Sequence, residues 1–396
     1  MRTRVLFLGG AYHQIPIIKE AKKRNWYVIT CDYLPNNPGH KYADEYYNVS
    51  TTDFEGVLDL AKRIKPDYVI AYASDPSAPV AAYVSEQLGL PGNSYQSVKT
   101  LSEKDLFRAF LREHGFNTPK FVTITRSDNF DIKLRSLSLP LIIKPTDSSG
   151  SKGVRRVDNL DCVNEVIEGV FDYSRNGKLI VEEFIDYNEC QMHGDGLVAN
   201  GELVFTCLGD HHFCSTVNPF VPIATTWPTK HKKEITDLAV KEINRLLKLL
   251  KYIIGLINIE VRVDKNGSIY IMEVGPRSGG NFVPQAIQYA TGFDMVNSLL
   301  DLLTGQEVVI PDKSQKFAAY YAINSDEKGT LERITLEKDI SPFIKEFHQY
   351  VFPGEEVKPF VGANAALGVI LLAFDNREEM DDVIKNIDSL IKVQLK

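Results

Sequence analysis

The stretch IEVRVDKNGSIYIMEVGPRSGG, residues 259–280, decides the fold, because it sets two glutamates on opposite arms of one hairpin. Asn266-Gly267 is a strong hairpin signal, a two-residue type I′ turn in which both central residues take positive φ. That turn pairs Lys265 with Ser268 and, further out, Glu260 with Glu273 and Asn258 with Gly275, with facing Cβ atoms roughly 5 Å apart. A four-residue loop, 264–267, shifts the register by two and keeps both acids on one face, whereas a three-residue loop separates them. On the first arm Ile257, Ile259, Val261 and Val263 form an apolar face, so Asn258, Glu260 and Arg262 project the other way.

Like charges facing each other on a sheet are destabilising unless a positive group sits between them. A divalent cation meets that need. Two carboxylates with few other protein ligands suit Mg2+, which prefers hard oxygen donors and shares its shell with water and substrate phosphates. A surface hairpin whose glutamates merely align is the plainer alternative. The run Gly275-Pro276-Arg277-Ser278-Gly279-Gly280 favours the metal, since it puts a guanidinium and open backbone beside the acids as an anion clamp.

The chain around this hairpin has 396 residues, 44% hydrophobic and 24% charged, enough for two or three domains with a sizeable core. A net charge of −7 argues against a general nucleic-acid surface, so phosphate binding is local. Cys31, Cys162, Cys190, Cys207 and Cys214 are odd in number and form no CxxC pair, as expected of free thiols in a cytoplasmic protein. The opening MRTRVLFLGGAYHQIP has too short an apolar run for a signal peptide or a membrane span.

Residues 1–100 alternate apolar strands (RVLFLGG, YVITCDY, DYVIAYASD) with helical patterns, which predicts a parallel sheet with crossover helices. Gly9, Gly10 and Asp32 invite a nicotinamide dinucleotide reading, but the loop is GGAYHQ and not GxGxxG. Further on, SEKDLFRAFLREHG predicts a helix with Ser102 as N-cap and Asp105 three residues later. This places Lys104 in the first turn, where a cation opposes the helix dipole unless an anion joins it. LPLIIKPTDSSGSKGVRRV is a strand ending at Lys144, then a loop of small residues (Ser148, Ser149, Gly150, Ser151, Gly153) whose backbone N–H groups can approach phosphate oxygens. KLIVEEFID is a strand that carries Glu182 and Glu183 at its end, with Glu189 shortly after.

Lys104, Lys144, the Ser/Gly loop, VEEFI with Glu189, and then Glu260 and Glu273 before GPRSGG occur in one order that resembles the ATP-grasp superfamily over roughly residues 1–310. The resemblance implies a mixed α/β and α+β architecture: a Rossmann-like pre-ATP-grasp parallel-sheet domain (1–100), an ATP-grasp domain (101–310, with a mobile lid lobe about 119–186) and a C-terminal closing lobe (311–396) similar to that of biotin carboxylases. It also implies ATP and Mg2+ as cofactors, one or two ions, with Mn2+ as a substitute. Lys104, Lys144 and the 148–153 loop would hold the phosphates, Glu182, Glu183, Phe184 and Ile185 the adenine, and Glu189 the ribose. Glu260 and Glu273 would bind the metal, while Lys144 and Arg277 would act in phosphoryl transfer. The chain has EVGPR where many members have ExNPR. Gly275 puts the second ion in doubt, and Asn258, cross-strand from it, is the candidate replacement.

The reaction so implied is amide or peptide bond formation from a small-molecule carboxylate and an amine through an acyl phosphate, releasing ADP and phosphate. A purine-pathway or biotin-carboxylase-like enzyme using bicarbonate or formate is the alternative, ahead of a nicotinamide-dependent oxidoreductase or a non-catalytic nucleotide-binding protein. No nucleic-acid or membrane partner is expected, and a homodimer is compatible with the reading. Candidate substrate contacts are His211, His212, Arg277, Ser278 and Gly279. The histidines, with Cys207 and Cys214, also raise zinc, though their spacing matches no established pattern.

Overall fold

The computed structural model describes residues 2–187, 189–213, 218–311 and 316–396, so Cys214 lies outside the described residues. The chain has a mixed α/β and α+β architecture. Strands β1 (Arg4–Leu8), β2 (Tyr27–Cys31), β3 (Glu45–Tyr47) and β4 (Tyr68–Ile70) form a parallel sheet ordered β3-β2-β1-β4. Helices α1 (Ile15–Lys23), α2 (Phe54–Ile64) and α3 (Ala78–Leu88) pack around it. The near-continuous apolar runs of β1 and β2 are what burial on both faces requires.

The glycine turn after β1 is filled by protein groups. Gln14 bonds Ala11 N (2.7 Å) and Tyr72 O (3.1 Å), and a Cβ on Gly10 would lie 2.3 Å from the His40 ring. Asp32 accepts from Leu34 N (3.1 Å) and Asn37 Nδ2 (2.8 Å). Protein groups therefore already engage both parts of the dinucleotide reading.

Helices α4 (Tyr95–Ser102) and α5 (Lys104–Glu113) follow, and here the expected cap is wrong. Ser102 ends α4, its hydroxyl bonding Val98 O, and Glu103 is the N-cap of α5 without a side-chain bond. Lys104 nevertheless opens α5.

The lid is an antiparallel sheet of β5 (Phe121–Thr125), β6 (Leu141–Pro145), β7 (Arg155–Val157) and β8 (Lys178–Glu183), ordered β5-β8-β6-β7. Below it, β9 (Met192–Ala199), β10 (Glu202–Phe213), β11 (Pro222–Trp227), β12 (Gly255–Val263), β13 (Ile269–Gly275) and β14 (Phe317–Ile323) join strands Gly368–Phe374 and Ile344–Gln349 in one eight-stranded sheet. The C-terminal strands thus extend the grasp sheet itself. Helix Lys233–Leu250 buries Ala239, Ile243, Leu246, Leu247 and Leu250 against this sheet. One apolar cluster runs from Val5 and Phe7 through Trp227 and Phe282 to Val369, tying the N-terminal sheet to the large one.

The decisive hairpin departs from the expected turn. Among its loop residues only Gly267 has positive φ (+81°), and Asp264 pairs Ser268 around a three-residue loop (Asp264 N to Ser268 O, 3.0 Å). Such a loop belongs to the type I plus bulge class. By itself it would put the two acids on opposite faces. A second bulge corrects this: Val261 faces Ile271 whereas Glu260 faces Glu273, leaving Met272 as the extra residue. The buried Arg108 guanidinium on α5 binds that irregularity, donating to Ile271 O (3.3 Å) and Met272 O (2.8 Å).

Candidate active site

A cavity of about 340 Å³ separates the lid from the large sheet. It gathers Lys104, Lys144, Ser148, Ser149, Gly150, Ser151, Glu182, Glu183, Phe184, Ile185, His211, Asn258, Glu260, Glu273 and Arg277 on its walls. Five other sequence candidates lie elsewhere. Gly153 sits against the Tyr173 ring. Glu189 is exposed and pairs with His231 Nδ1 at 2.9 Å. His212 points to the opposite face from His211 and bonds Thr226 Oγ1 (3.0 Å), as alternation along β10 dictates. Ser278 Oγ accepts from Ala73 N (3.1 Å), and Gly279 N donates to both Asp195 oxygens (3.0 and 2.7 Å), so these two anchor the loop and do not face a substrate.

At one end of the cavity, Glu260 and Glu273 face each other across β12 and β13. Burial, resisted by Lys104 and reinforced by Glu260 and Asp75, pushes the Glu273 carboxyl up. Burial also opposes ionisation of Glu260, but His211, His193 and Arg262 outweigh it and hold that carboxyl at about 2. Gln191 fixes one Glu260 oxygen (2.7 Å) and is itself fixed by Arg262 Nε (2.7 Å). Among the described residues no group of three or more His, Cys, Asp or Glu forms a complete cage. Two carboxylates, one of them destabilised by the other, suit an ion that brings most of its shell with it, as Mg2+ on a nucleotide does. Asn258 faces Gly275, and its amide nitrogen is committed to His193 Nε2 (2.8 Å), Asp195 Oδ1 (2.8 Å) and Gly194 O (3.3 Å).

The opposite end needs one amendment to the expected roles. Glu182 lines the cavity, but its carboxylate is saturated within the protein by Arg108 Nε on one oxygen and Lys144 Nζ (2.7 Å) on the other. Burial would raise its pKa, yet Arg108 and Lys144 draw the carboxyl down to about 2. It therefore acts as a tie from the β12–β13 hairpin through Arg108 to the Lys144 ammonium. Glu183 accepts from Ser138 N (2.8 Å), and Phe184 lies under the Arg156 guanidinium (4.6 Å). The small-residue loop arches over the cleft: Lys104 Nζ donates to Ser148 O, and Ser151 Oγ donates to Phe220 O (2.6 Å).

Arg277 is clamped by a residue the sequence reading passed over. Asp75, just beyond β4, takes its Nε and Nη2 at 2.6 Å each. The pair also explains Gly275. A Cβ there would stand 3.3 Å from both Arg277 Cζ and Asp75 Oδ1, so any larger side chain must push this pair aside by a few tenths of an ångström. Asp75 was discoverable, since the carboxyl ends of parallel strands are where ligands bind in such sheets. Arg108, Gln191, His193 and Asp195 carried no local signal.

The family model described as "ATP-grasp domain" matches residues 137–285. Residues 137–285 form an ATP-grasp domain. An uncharacterized protein of Sinorhizobium fredii is 24% identical over 356 residues, 86% of this chain and 72% of the relative. The C-terminal section of the carbamoyl phosphate synthase large chain of Aquifex aeolicus is 23% identical over 306 residues, 73% of this chain but only 56% of its own length. Among solved structures, an L-amino acid ligase from Bacillus licheniformis superposes with TM-score 0.85 and 23% identity over 100% of this chain and 99% of its own. A biotin carboxylase domain from Hydrogenobacter thermophilus, crystallised with MgADP and bicarbonate, gives TM-score 0.76 and 14% identity, covering 100% and 92%. At these identities the likeness establishes the ATP-grasp fold. In the described residues no helix is long and apolar enough to cross a membrane.

Proposed function

We propose that this ATP-grasp protein is an ADP-forming ligase that joins a small carboxylate to an amine through an acyl phosphate. The observation that carries the reading is the single cavity in which Glu260 and Glu273 face Lys104, Lys144 and Arg277. Glu260 and Glu273 would hold Mg2+, which would offset charge on the transferring phosphoryl group. Lys144 and Lys104 stand where nucleotide phosphates would enter, and the 148–151 loop excludes water from an intermediate that water would hydrolyse. Arg277 supplies a fixed positive charge for the acyl phosphate and for the oxyanion formed when the amine attacks. Asn258 remains the candidate for the second ion's amide ligand.

A carboxylate larger than bicarbonate fits the acceptor end, where His13, Phe213, Phe220 and Tyr320 border the cavity. Likeness to carbamoyl phosphate synthase and to a carboxylase domain supports bicarbonate as the second reading. ADP release from MgATP, measured with bicarbonate and with pooled amino acids and other carboxylates in turn, separates them. Release that requires both an organic carboxylate and an amine supports the ligase. Release driven by bicarbonate alone overturns it.

A further inference from the structure

The roof of the cavity is made of loops from three distant parts of the chain, and they are held in unequal ways. Two of them form one rigid piece. Val221, Ala322, Phe360 and Ala366 share a small apolar core, while Asn218 donates through Nδ2 to Val361 O (2.9 Å) and accepts at Oδ1 from Phe220 N (3.0 Å). Asn218 is itself buried, so apolar and polar contacts together fix the 218–221 turn to the 361–366 turn. The third loop, 148–153, rests on that piece from outside. Its parent sheet keeps a separate apolar core, drawn from Ile124, Leu141, Ile143, Leu179 and Val181 among others, which includes no residue of either turn.

Small side chains and unequal hydrogen bonds make the joint. Ser151 Oγ donates to Phe220 O (2.6 Å), whereas Ala363 N reaches Gly150 O at a long 3.4 Å. Gly362 shows how close the two parts come. Its backbone is extended (φ −166°), which any residue adopts, so glycine is there for room: a Cβ would stand 3.1 Å from Asn364 Oδ1, 3.2 Å from Lys152 Cγ and 3.5 Å from Gly150 O. Across the joint, a Cβ on Gly150 would lie 3.4 Å from the Ala363 Cβ. Ser151 holds a left-handed backbone (φ +58°), a cost that its bond to Phe220 O offsets only while the loop is down. Ser151, Lys152, Phe220, Ala363 and Asn364 all line the cavity, so parting at this joint opens it.

We propose that the 361–366 turn is the seat of the 148–153 loop, and that loop and seat form a latch which must part for the cavity's occupant to enter or leave. The C-terminal part of the chain then governs access to the site, a role that the phosphate contacts expected of the loop do not require. That the occupant is a nucleotide rests on the ligase reading above; the latch does not.

Hydrogen–deuterium exchange of the ligand-free protein tests the joint. Gly362→Val puts a branched side chain between loop and seat without straining its own backbone, and should speed exchange across 148–154 at least about fivefold while β8 keeps wild-type rates. Wild-type exchange at 148–154 in this variant overturns the latch. Asn218→Asp keeps the acceptor for Phe220 N but sets a carboxylate against Val361 O, and it decides by the same criterion if Gly362→Val loosens the whole fold.

The gate is read from uptake of MgADP. With Cβ atoms 3.4 Å apart, cysteines placed by Gly150→Cys and Ala363→Cys can bridge, and peptide mapping confirms the bond. The oxidised double variant should take up MgADP at least about tenfold more slowly than the same variant reduced. Equal rates in the two redox states overturn the gating role. Gly362→Val should release MgADP faster than wild type, which judges the gate if the cysteine variant binds none. If the wild-type protein takes up no MgADP, the nucleotide reading and the gating of nucleotide fall together, while the exchange rates still judge the latch.

Discussion

The β5–β8 sheet and the β12–β13 hairpin each present a glutamate to the same cavity, and the protein surrounds them in opposite ways. Glu182 on β8 is flanked by Arg108 and Lys144 and its carboxyl is held at about 2. Glu273 on β13 faces another carboxylate and is pushed up, first by burial and then by Glu260, with Lys104 opposing. A buried charge whose counter-charges are built in is structural. Glu273, pushed up by burial and by Glu260 in spite of Lys104, is the one that gains from a further cation. The contrast separates what this site is made of from what it is made to receive.

The same Glu→Gln change should therefore have different consequences at the two places. The largest effect is on turnover. Glu273→Gln or Glu260→Gln should lower ADP formation by on the order of 10³-fold, since the transferred phosphoryl group loses its ion. A steady-state assay over a range of Mg2+ concentrations checks this, and near-wild-type rates would erase the contrast.

Next is stability. Glu182→Gln should cost about 3 kcal/mol in a denaturant titration, because Arg108 and Lys144 are left buried without their counter-ion. Its pH signature has a definite sign. The folded carboxyl titrates near 2 against an ordinary 4.5, so the stabilisation is fully present above about 4.5 and is lost as pH falls toward 2. The glutamine variant should lack that acid limb, and an unchanged limb would show that the triad is not the source.

Smaller effects sharpen the comparison further. Gly275→Ala must shift the Asp75–Arg277 pair by a few tenths of an ångström, and should reduce kcat about two- to tenfold without changing Mn2+ stoichiometry. Smallest of all, Glu273→Gln in metal-free protein should raise the melting temperature by about 1 °C, opposite in sign to Glu182→Gln, as relief of like-charge repulsion requires.

Much of this contrast was legible before any coordinates. Period-2 alternation on β12 and β13 predicts that Glu260 and Glu273 share a face, and they do, although by a route the sequence conceals. The Asn266-Gly267 signal points to a two-residue turn, the chain makes a three-residue one, and the bulge at Met272 restores the phase. Bulges depend on partners such as Arg108, 164 residues away from Met272, and no local pattern announces them. Strand ends likewise locate Lys144 and Glu182 at the cleft but do not disclose that they bind each other. The sequence conceals partners that are remote along the chain: Glu189 pairs with His231, Ser278 with Ala73, and Ser102 belongs to the helix before the one it was expected to cap.

Manganese binding in the presence of ADP, followed by electron paramagnetic resonance, tests the central claim most directly. Wild-type protein should bind the Mn2+·ADP complex saturably, Glu182→Gln should retain the site if folded, and both Glu260→Gln and Glu273→Gln should weaken it by at least about tenfold. Undiminished binding by the Glu260 and Glu273 variants would contradict the account, because the facing carboxylates would then not be the cation's seat.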